Sequence, residues 1–400
     1  MMYNYKKTTK EGKKYMDFNY EYSLIKDEII NIRRELHQNP ELSFEEFKTA
    51  ETITKILDKY SIKHIKNIAK TGICATIGNP AEKNLLIRAD MDALPTEEKT
   101  ALPFASVKKG VMHACGHDMH VAAALATAII LKKYENELKG CVKIVFQPGE
   151  ETTGGAEPMI KEGVLENPPV TAAIGGHISP EFENKTFKVK TGGIMASPDD
   201  FYVKFIGKST HGAQPDKGIS PIIPAAEFVL DTKRISEKIC KGTQNVLSIC
   251  TVDSNGGVNT IPDEAIVLGT FRSFDEDSRK QACEHLKASS EEIATEYGAK
   301  VNYTYNFLYP PVINDEEITN KFISVAKKLY GENSVVILDK AFMTGDDFSY
   351  FSKNVPSVYF WYGAKGDIPS TLHSSEFNVN EDAIETCTNI FTEFTFNYLG

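Results

Sequence analysis

The sequence predicts an α/β fold in which a mixed, mainly parallel sheet is interrupted by a smaller inserted βαββαβ unit. Three observations carry that prediction. Short apolar runs alternate with helical stretches: ICATI (73–77), NLLIRAD (84–90), a helix over 120–134, VKIVFQ (142–147) and TAAIGG (171–176). Such alternation marks a partly parallel sheet with helices packed on it. From about residue 197 the rhythm changes to strand 201–207, helix 220–238, strands 246–253 and 264–274, helix 276–298 and strand 300–307, the ferredoxin-like order. After YPPV (309–312) the first rhythm returns with helix 316–330, strand 335–339, short helix 347–353, strand 357–363 and a closing helix over 380–397. The expected organisation is a disordered tail over 1–20, a discontinuous main domain over 21–196 and 308–400, and an inserted domain over 197–307.

The first elements follow from pattern and punctuation. Ile25, Ile29, Ile32 and Leu36 repeat at helical spacing, and the run ends at Asn39-Pro40 because a residue before proline disfavours helix. A second helix is expected from Ser43, with Glu46 completing a capping box and Phe47, Ala50, Ile53 and Leu57 on one face. The first twenty residues carry lysines but no apolar core, so they read as a tail and not as a secretory signal. In open α/β sheets ligands bind beyond the carboxyl ends of strands. Asp90, Glu150 and His177 each fall just past the end of an expected strand, which would bring three segments to one crevice.

Composition narrows the function classes. The chain has 400 residues, 41% apolar and 25% charged, ordinary values for a folded soluble protein. A formal charge of −10 leaves no basic stripe to neutralise phosphates, which argues against a nucleic-acid partner. The longest apolar run, VAAALATAIIL (121–131), is too short to cross a bilayer, so no membrane is expected either. Seven cysteines (74, 115, 141, 240, 250, 283, 387) lack framework spacing, which reads as reduced thiols in a cytoplasmic protein.

Five potential metal ligands stand at four places: Cys115 and His117 in MHACGHDMH, Glu151 in FQPGEETTGGA, His177 in AIGGH and His373 in LHSSEF. One thiolate, three imidazoles and one carboxylate suit a pair of divalent first-row ions better than magnesium or calcium. Cys115 and His117 are two apart, and in extended backbone both would point the same way. Alone, that pair reads equally well as a buried cysteine beside a hydrogen-bonded histidine; the other three donors favour metal. Glu150 is a second carboxylate beside a ligand carboxylate, which metal-assisted hydrolysis needs as a proton carrier. Asp90 and Asp92 in RADMDALP stand at a strand exit, where at least one is expected to orient a ligand histidine; turn chemistry is the alternative. His113, His120 and Asp118 read as structural partners. In the inserted domain, His211 (STHGAQP), Asn259 (GGVNTIPD) and Arg272 (GTFRSFD) are candidates, with arginine the preferred fork for a carboxylate; the alternatives are a surface histidine in a loop and a surface salt bridge from a strand arginine.

RRELHQNPELSFEE (33–46), RADMDALP, MHACGHD, FQPGEETTGGA, GGH, STHGAQP, GGVNTIPD, GTFRSFD, GDDFSYF (345–351) and LHSSEF, in that order, resemble the M20 metallopeptidase family. They look most like its amidohydrolase branch of hippurate hydrolases, aminoacylases, auxin-conjugate hydrolases and N-acetyl-diaminopimelate deacetylases, over about residues 22–395. The resemblance implies a catalytic domain in which Cys115, His117, Glu151, His177 and His373 hold two metal ions (manganese, zinc, cobalt or nickel) and Glu150 is the general base. It also implies that the inserted domain is a lid and dimerisation surface, with His211, Asn259 and Arg272 contacting substrate. The implied activity is hydrolysis of N-acyl amino acids by a homodimer or higher homo-oligomer. Alternatives are a dipeptidase or carboxypeptidase of the same family, or a non-catalytic metal-dependent binding protein, against which an intact Glu150 argues. Asp346 stands where many members carry glutamate.

Overall fold

The computed structural model describes residues 16–400. The chain divides into two compact units, one comprising residues up to Val189, Glu317–Ile337 and Val355–Gly400, the other Lys190–Glu316 and Leu338–Asn354. The second unit is wider than the expected 197–307. Residues 338–354 join it through backbone bonds from Phe342 N–H to Ile194 and from Ala196 N–H to Phe342 and Thr344, pairings that no local pattern announces.

The tail expected over 1–20 lies outside the described residues as far as residue 15. Its last part is not tail but helix Phe18–Ser23, because Phe18 has an apolar partner in Phe396, stacked at 5.4 Å.

The first unit carries an eight-stranded sheet in the order Lys63–Ile68, Gly72–Gly78, Cys141–Gln147, Asn84–Asp90, Ala172–Ser179, Ser357–Gly363, Phe187–Val189 and Val335–Ile337. The central pairs, Cys141–Gln147 through Ser357–Gly363, are parallel, while the two pairs at the first edge are antiparallel. The sheet is thus mixed and mainly parallel, as expected. The four central strands are buried along their whole length, which is why they read as continuous apolar runs and not as alternating ones. Lys63–Ile68 alternates poorly and was not foreseen as a strand; its pairing with Gly72–Gly78 holds it in the sheet.

Helix His117–Lys133 is apolar all round and buried from His117 to Leu131, packing against the helices Lys26–Gln38 and Asp382–Leu399 and the strand Asn84–Asp90. Its first residues therefore sit at one fixed place over the sheet, at the level where Asp90 and Gln147 end their strands in register.

The second unit has a fully antiparallel four-stranded sheet, ordered Val246–Ser254, Glu264–Ser273, Ser197–Ile206, Lys300–Asn306. With helices Ile222–Ile239 and Glu276–Glu296 this is the ferredoxin-like βαββαβ arrangement. Strict alternation along Glu264–Ser273 sends Ala265, Val267 and Phe271 into a core with Phe201, Val203, Phe205, Phe228 and Leu286. At its base, buried Asp199 receives a two-pronged bond from Arg279 (2.6 and 2.8 Å), with Tyr305 Oη–H at 3.0 Å and Leu308 N–H at 3.2 Å.

Candidate active site and metal centre

The second helix does not begin as its sequence suggests. It spans Phe47–Lys59, and Ser43 and Glu46 make no capping box. Ser43 Oγ–H donates instead to Asp92 Oδ2 at 2.7 Å, and Glu46 turns back to accept from Phe44 N–H at 2.8 Å and from Gly149 N–H at 2.9 Å. Both side chains are drawn to more distant partners around the strand ends.

Cys115 and His117 are likewise not on extended backbone. Gly116 between them is left-handed (φ 87) and ends the loop, so Cys115 precedes the helix and His117 is its first residue. A Cβ on Gly116 would stand 2.6 Å from Ile178 Cγ2, so only glycine allows this turn beside the sheet. His373 is also left-handed (φ 63), held there by its N–H donating to Ala114 O at 2.8 Å; a non-glycine residue in that region is a feature of functional loops. His177 lies inside the strand Ala172–Ser179, not past its end as expected.

These turns bring the five candidate ligands together. Cys115 Sγ stands 3.3 Å from His177 Nε2 and 3.3 Å from His373 Nε2. Glu151 Oε1 is 3.5 Å from His373 Nε2 and 3.9 Å from His117 Nε2. The donor atoms fall into two groups, Cys115–His117–His177 and Cys115–Glu151–His373, each within 4.8 Å, and Cys115 is common to both. Glu150 is buried on the same loop as Glu151, and its carboxylate joins His117 and Glu151 in a further group.

The surrounding bonds aim these atoms. His117 Nδ1–H donates to Asp92, at 2.9 Å from its carbonyl and 3.1 Å from Oδ1, which leaves Nε2 facing the cluster. Asp92 Oδ2 also accepts the Glu151 N–H at 3.0 Å, so one carboxylate holds two candidate ligands. His177 Nδ1–H is taken by Ile178 O at 2.7 Å, again leaving Nε2 for the cluster. Buried His117 Nε2 and Glu151 Oε1 have no hydrogen-bond partner among the described residues. Unpartnered donors of this kind, converging with a thiol, fit divalent cations well.

Asp90 has a different duty from Asp92. It pairs with Arg88 and accepts from His120 Nδ1–H at 2.5 Å, while standing 3.7 Å from His117 Nε2. It acts on His117 through charge alone, and its hydrogen-bonded link to a ligand is indirect. His120 Nε2 accepts the N–H of Ile178, the residue after His177, at 3.1 Å. With both ring nitrogens engaged, His120 is a brace and not a ligand. Asp118 is likewise structural, pairing with Arg33 and His37 at 2.8 Å.

Electrostatics follow from burial and crowded carboxylates. Burial pushes the Cys115 thiol up, and the charges of Glu151, Glu150 and Asp90 push it further, well above its ordinary value. Burial opposes a charge on His117, but Asp90, Asp92 and Glu151 outweigh it and raise the imidazole to about 10. His177, buried and near the His120 and His117 rings, is pushed well below the usual imidazole value. Burial opposes ionisation of Asp92, yet the His117 and Ser43 bonds hold its carboxyl below the usual range. The net result is a negative pocket that retains protons unless a cation takes their place.

The inserted-domain candidates lie in the second unit. Residues Thr210–His211 pair with Thr260–Ile261; Ala213 N–H donates to His211 Nδ1 at 3.1 Å, and the Asn259 amide stands 3.1 Å from His211 Nε2. Arg272 is on the strand Glu264–Ser273, opposite Pro198 and Val246. Asp346 is in the 338–354 stretch, its Oδ1 accepting Phe348 N–H at 2.7 Å.

The model of peptidase family M20/M25/M40 matches residues 86–397. The chain belongs to the M20 family. An N-acetyl-L-cysteine deacetylase of Bacillus subtilis (strain 168) is 38% identical over 90% of this chain and 86% of its own length. A thermostable carboxypeptidase 2 of Saccharolobus solfataricus is 36% identical over 90% and 93%. Among solved structures, the YXEP protein of Bacillus subtilis, described as a dinuclear metal binding peptidase from the M20 family, superposes with a TM-score of 0.81 at 34% identity, covering 94% of this chain and 98% of that one. The M20 resemblance read from the motifs therefore holds, as does the α/β fold. This M20 chain has no helix, among the described residues, long and apolar enough to cross a membrane.

Proposed function

We propose that this M20 hydrolase cleaves the amide bond of N-acyl amino acids to a carboxylate and a free amino acid. In this reading Cys115, His117, Glu151, His177 and His373 hold two divalent ions, and Glu150 carries the proton. The observation that carries it is the pair of donor groups sharing Cys115, with the second carboxylate of the loop beside them. The thiolate, imidazole and carboxylate set favours manganese, zinc, cobalt or nickel over magnesium. When bound, such ions supply Lewis acidity to a water and to the amide carbonyl.

The chain's own residues do the rest. Glu150 takes the proton of the attacking water and returns it to the departing nitrogen. Asp92 keeps the His117 and Glu151 donors aimed at the cluster, and Asp90 does the same for His177 through His120. His211 donates to the developing oxyanion, from its own chain or from a partner in a homodimer. Arg272 and Asn259 hold the α-carboxylate, so that closure of the inserted domain as a lid is part of specificity. The deacetylase relative supports an N-acyl substrate. The carboxypeptidase relative supports a second reading, peptide or dipeptide cleavage, in which the same groups act and only the acyl side differs. Seven free cysteines fit a reducing, cytoplasmic setting.

Amine release from a panel of N-acetyl, N-benzoyl and aminoacyl amino acids, with manganese, cobalt or zinc, tests both readings. Wild type should hydrolyse part of the panel only when metal is present. Glu150→Gln should keep its metal and lose about 10²- to 10⁴-fold in kcat, the scale of a positioned proton carrier. Full turnover by Glu150→Gln would remove the role given to Glu150, and preference for aminoacyl donors would favour the peptidase reading.

A further inference from the structure

We propose that Glu46 and Phe44 form a buried clip that sets the position of the Gly149–Glu150 turn, making them positioning residues for the proton carrier. The proposal rests on the hydrolase reading for its catalytic consequence, but not for the clip itself.

Glu46 is fully buried, with no cationic partner among the contacts its carboxylate makes. One oxygen, Oε1, accepts two backbone N–H groups, Phe44 at 2.8 Å and Gly149 at 2.9 Å; the other accepts Thr71 Oγ1–H at 2.6 Å. Three chain segments thus meet on one carboxylate, and one of them is the residue just before Glu150. Phe44 completes the arrangement. It is left-handed (φ 61), and its ring lies so close to Gly149 that a Cβ there would fall 2.4 Å from Cε2. Gly149 is left-handed as well (φ 67), so the loop turns sharply under the ring. Glu46 holds the amide of Gly149 and Phe44 covers its α-carbon, while Asp92 fixes the next-but-one amide, that of Glu151. Glu150 lies between two pinned residues.

A carboxylate that receives three hydrogen bonds and no cation acts through geometry and not through charge. An amide in its place keeps the essential contact: its oxygen still accepts both N–H groups, and its NH₂ can donate to the Thr71 hydroxyl, which reverses. Glu46→Gln is therefore the conservative rescue. Glu46→Met has similar bulk but leaves the buried Gly149 N–H and the half-buried Phe44 N–H without their acceptor.

The experiment compares wild type with Glu46→Met, Glu46→Gln and Phe44→Ala. Ile53→Val, in the helix Phe47–Lys59 that follows the clip but away from the loop, serves as a destabilised control. Hydrogen–deuterium exchange of the 147–155 backbone is read in metal-free protein, and kcat, KM and metal content in metal-loaded protein. Glu46→Met should speed exchange in 147–155 and lower kcat about 10- to 100-fold with KM and metal content near wild type, the cost of a displaced reacting group. Phe44→Ala should shift both readouts in the same direction, and Glu46→Gln should stay close to wild type. The proposal is overturned if Glu46→Met exchanges like wild type in 147–155, or if Ile53→Val reproduces its kcat loss at equal folded fraction. If wild type hydrolyses no substrate, the hydrolase reading fails, and the exchange comparison still decides the clip.

Discussion

Asp92→Asn changes no bulk, yet the structure assigns it a definite cost. Asp92 is 1% exposed, and both its oxygens face donors: Oδ1 faces His117 Nδ1 at 3.1 Å, while Oδ2 accepts from Ser43 at 2.7 Å and from the Glu151 amide at 3.0 Å. An asparagine has one accepting oxygen. If its NH₂ faces His117, two donors meet, and only the Asp92 carbonyl is left to keep the imidazole proton on Nδ1 and off Nε2, the atom aimed at the cluster. If its NH₂ faces Oδ2's partners, Ser43 can reverse its hydroxyl, but the Glu151 N–H cannot. Either way one candidate ligand loses its aim. A hydrogen bond to a charged group contributes about 1.5–3 kcal/mol, and each 1.4 kcal/mol is a factor of ten, so the bond alone sets a loss of about 10- to 100-fold. The Asp92 carbonyl also accepts from His117 Nδ1, at 2.9 Å, which places the expected loss of metal affinity near the lower bound, about tenfold. Competition against a chromogenic chelator at fixed pH reads the affinity, with melting temperature as a check on folding. Affinity within twofold of wild type in a folded Asp92→Asn would refute the reasoning.

Further predictions follow from the same contacts. Metal uptake should release protons: the Cys115 thiol is held above its ordinary value and His117 is raised to about 10, so both are protonated at neutral pH without a cation and must lose a proton to bind one. Affinity should therefore rise with pH through the neutral range, and calorimetry in buffers of different ionisation enthalpy should count at least one proton released; none would contradict the assignment. Asp199→Ala should remove the two-pronged, almost fully buried partner of Arg279, leaving the guanidinium only Glu276 at 2.8 Å and the Leu308 carbonyl at 2.9 Å, and destabilise the second unit by about 3 kcal/mol, the lower end for a broken buried pair. Scanning calorimetry should show that unit melting earlier, while metal affinity, which belongs to the first unit, stays unchanged. Prolonged chelation should abolish turnover, and readdition of manganese, cobalt or zinc should restore it; turnover indifferent to chelation would remove the ions from the reaction.

The sequence alone determined most of the element types, because they depend on short-range periodicity; Lys63–Ile68 and Phe18–Ser23, which lean on distant partners, escaped it. Short apolar runs marked the buried central strands, and a change in the order of strands and helices marked the inserted unit. It also determined the family and the kinds of ligand, since Cys115, His117, Glu151, His177 and His373 are uncommon donors in recognisable company. Tertiary structure decided where their lone pairs point. The pattern Ser43–Glu46 is locally indistinguishable from a capping box, and within its own segment that would be the best use of both side chains. The folded chain offers stronger competitors, Asp92 for the serine and, 103 positions away, the Gly149 amide for the glutamate. Asp90 and Asp92 looked equivalent, yet His117 bonds only one of them, and His120 became a brace because the Ile178 amide met its free nitrogen. The same physics separates residues 338–354 from their sequence neighbours, as backbone groups pair wherever folding brings an unpaired edge. Local sequence fixes which groups each residue brings; competition among distant groups for the same buried donor or acceptor fixes which bonds form.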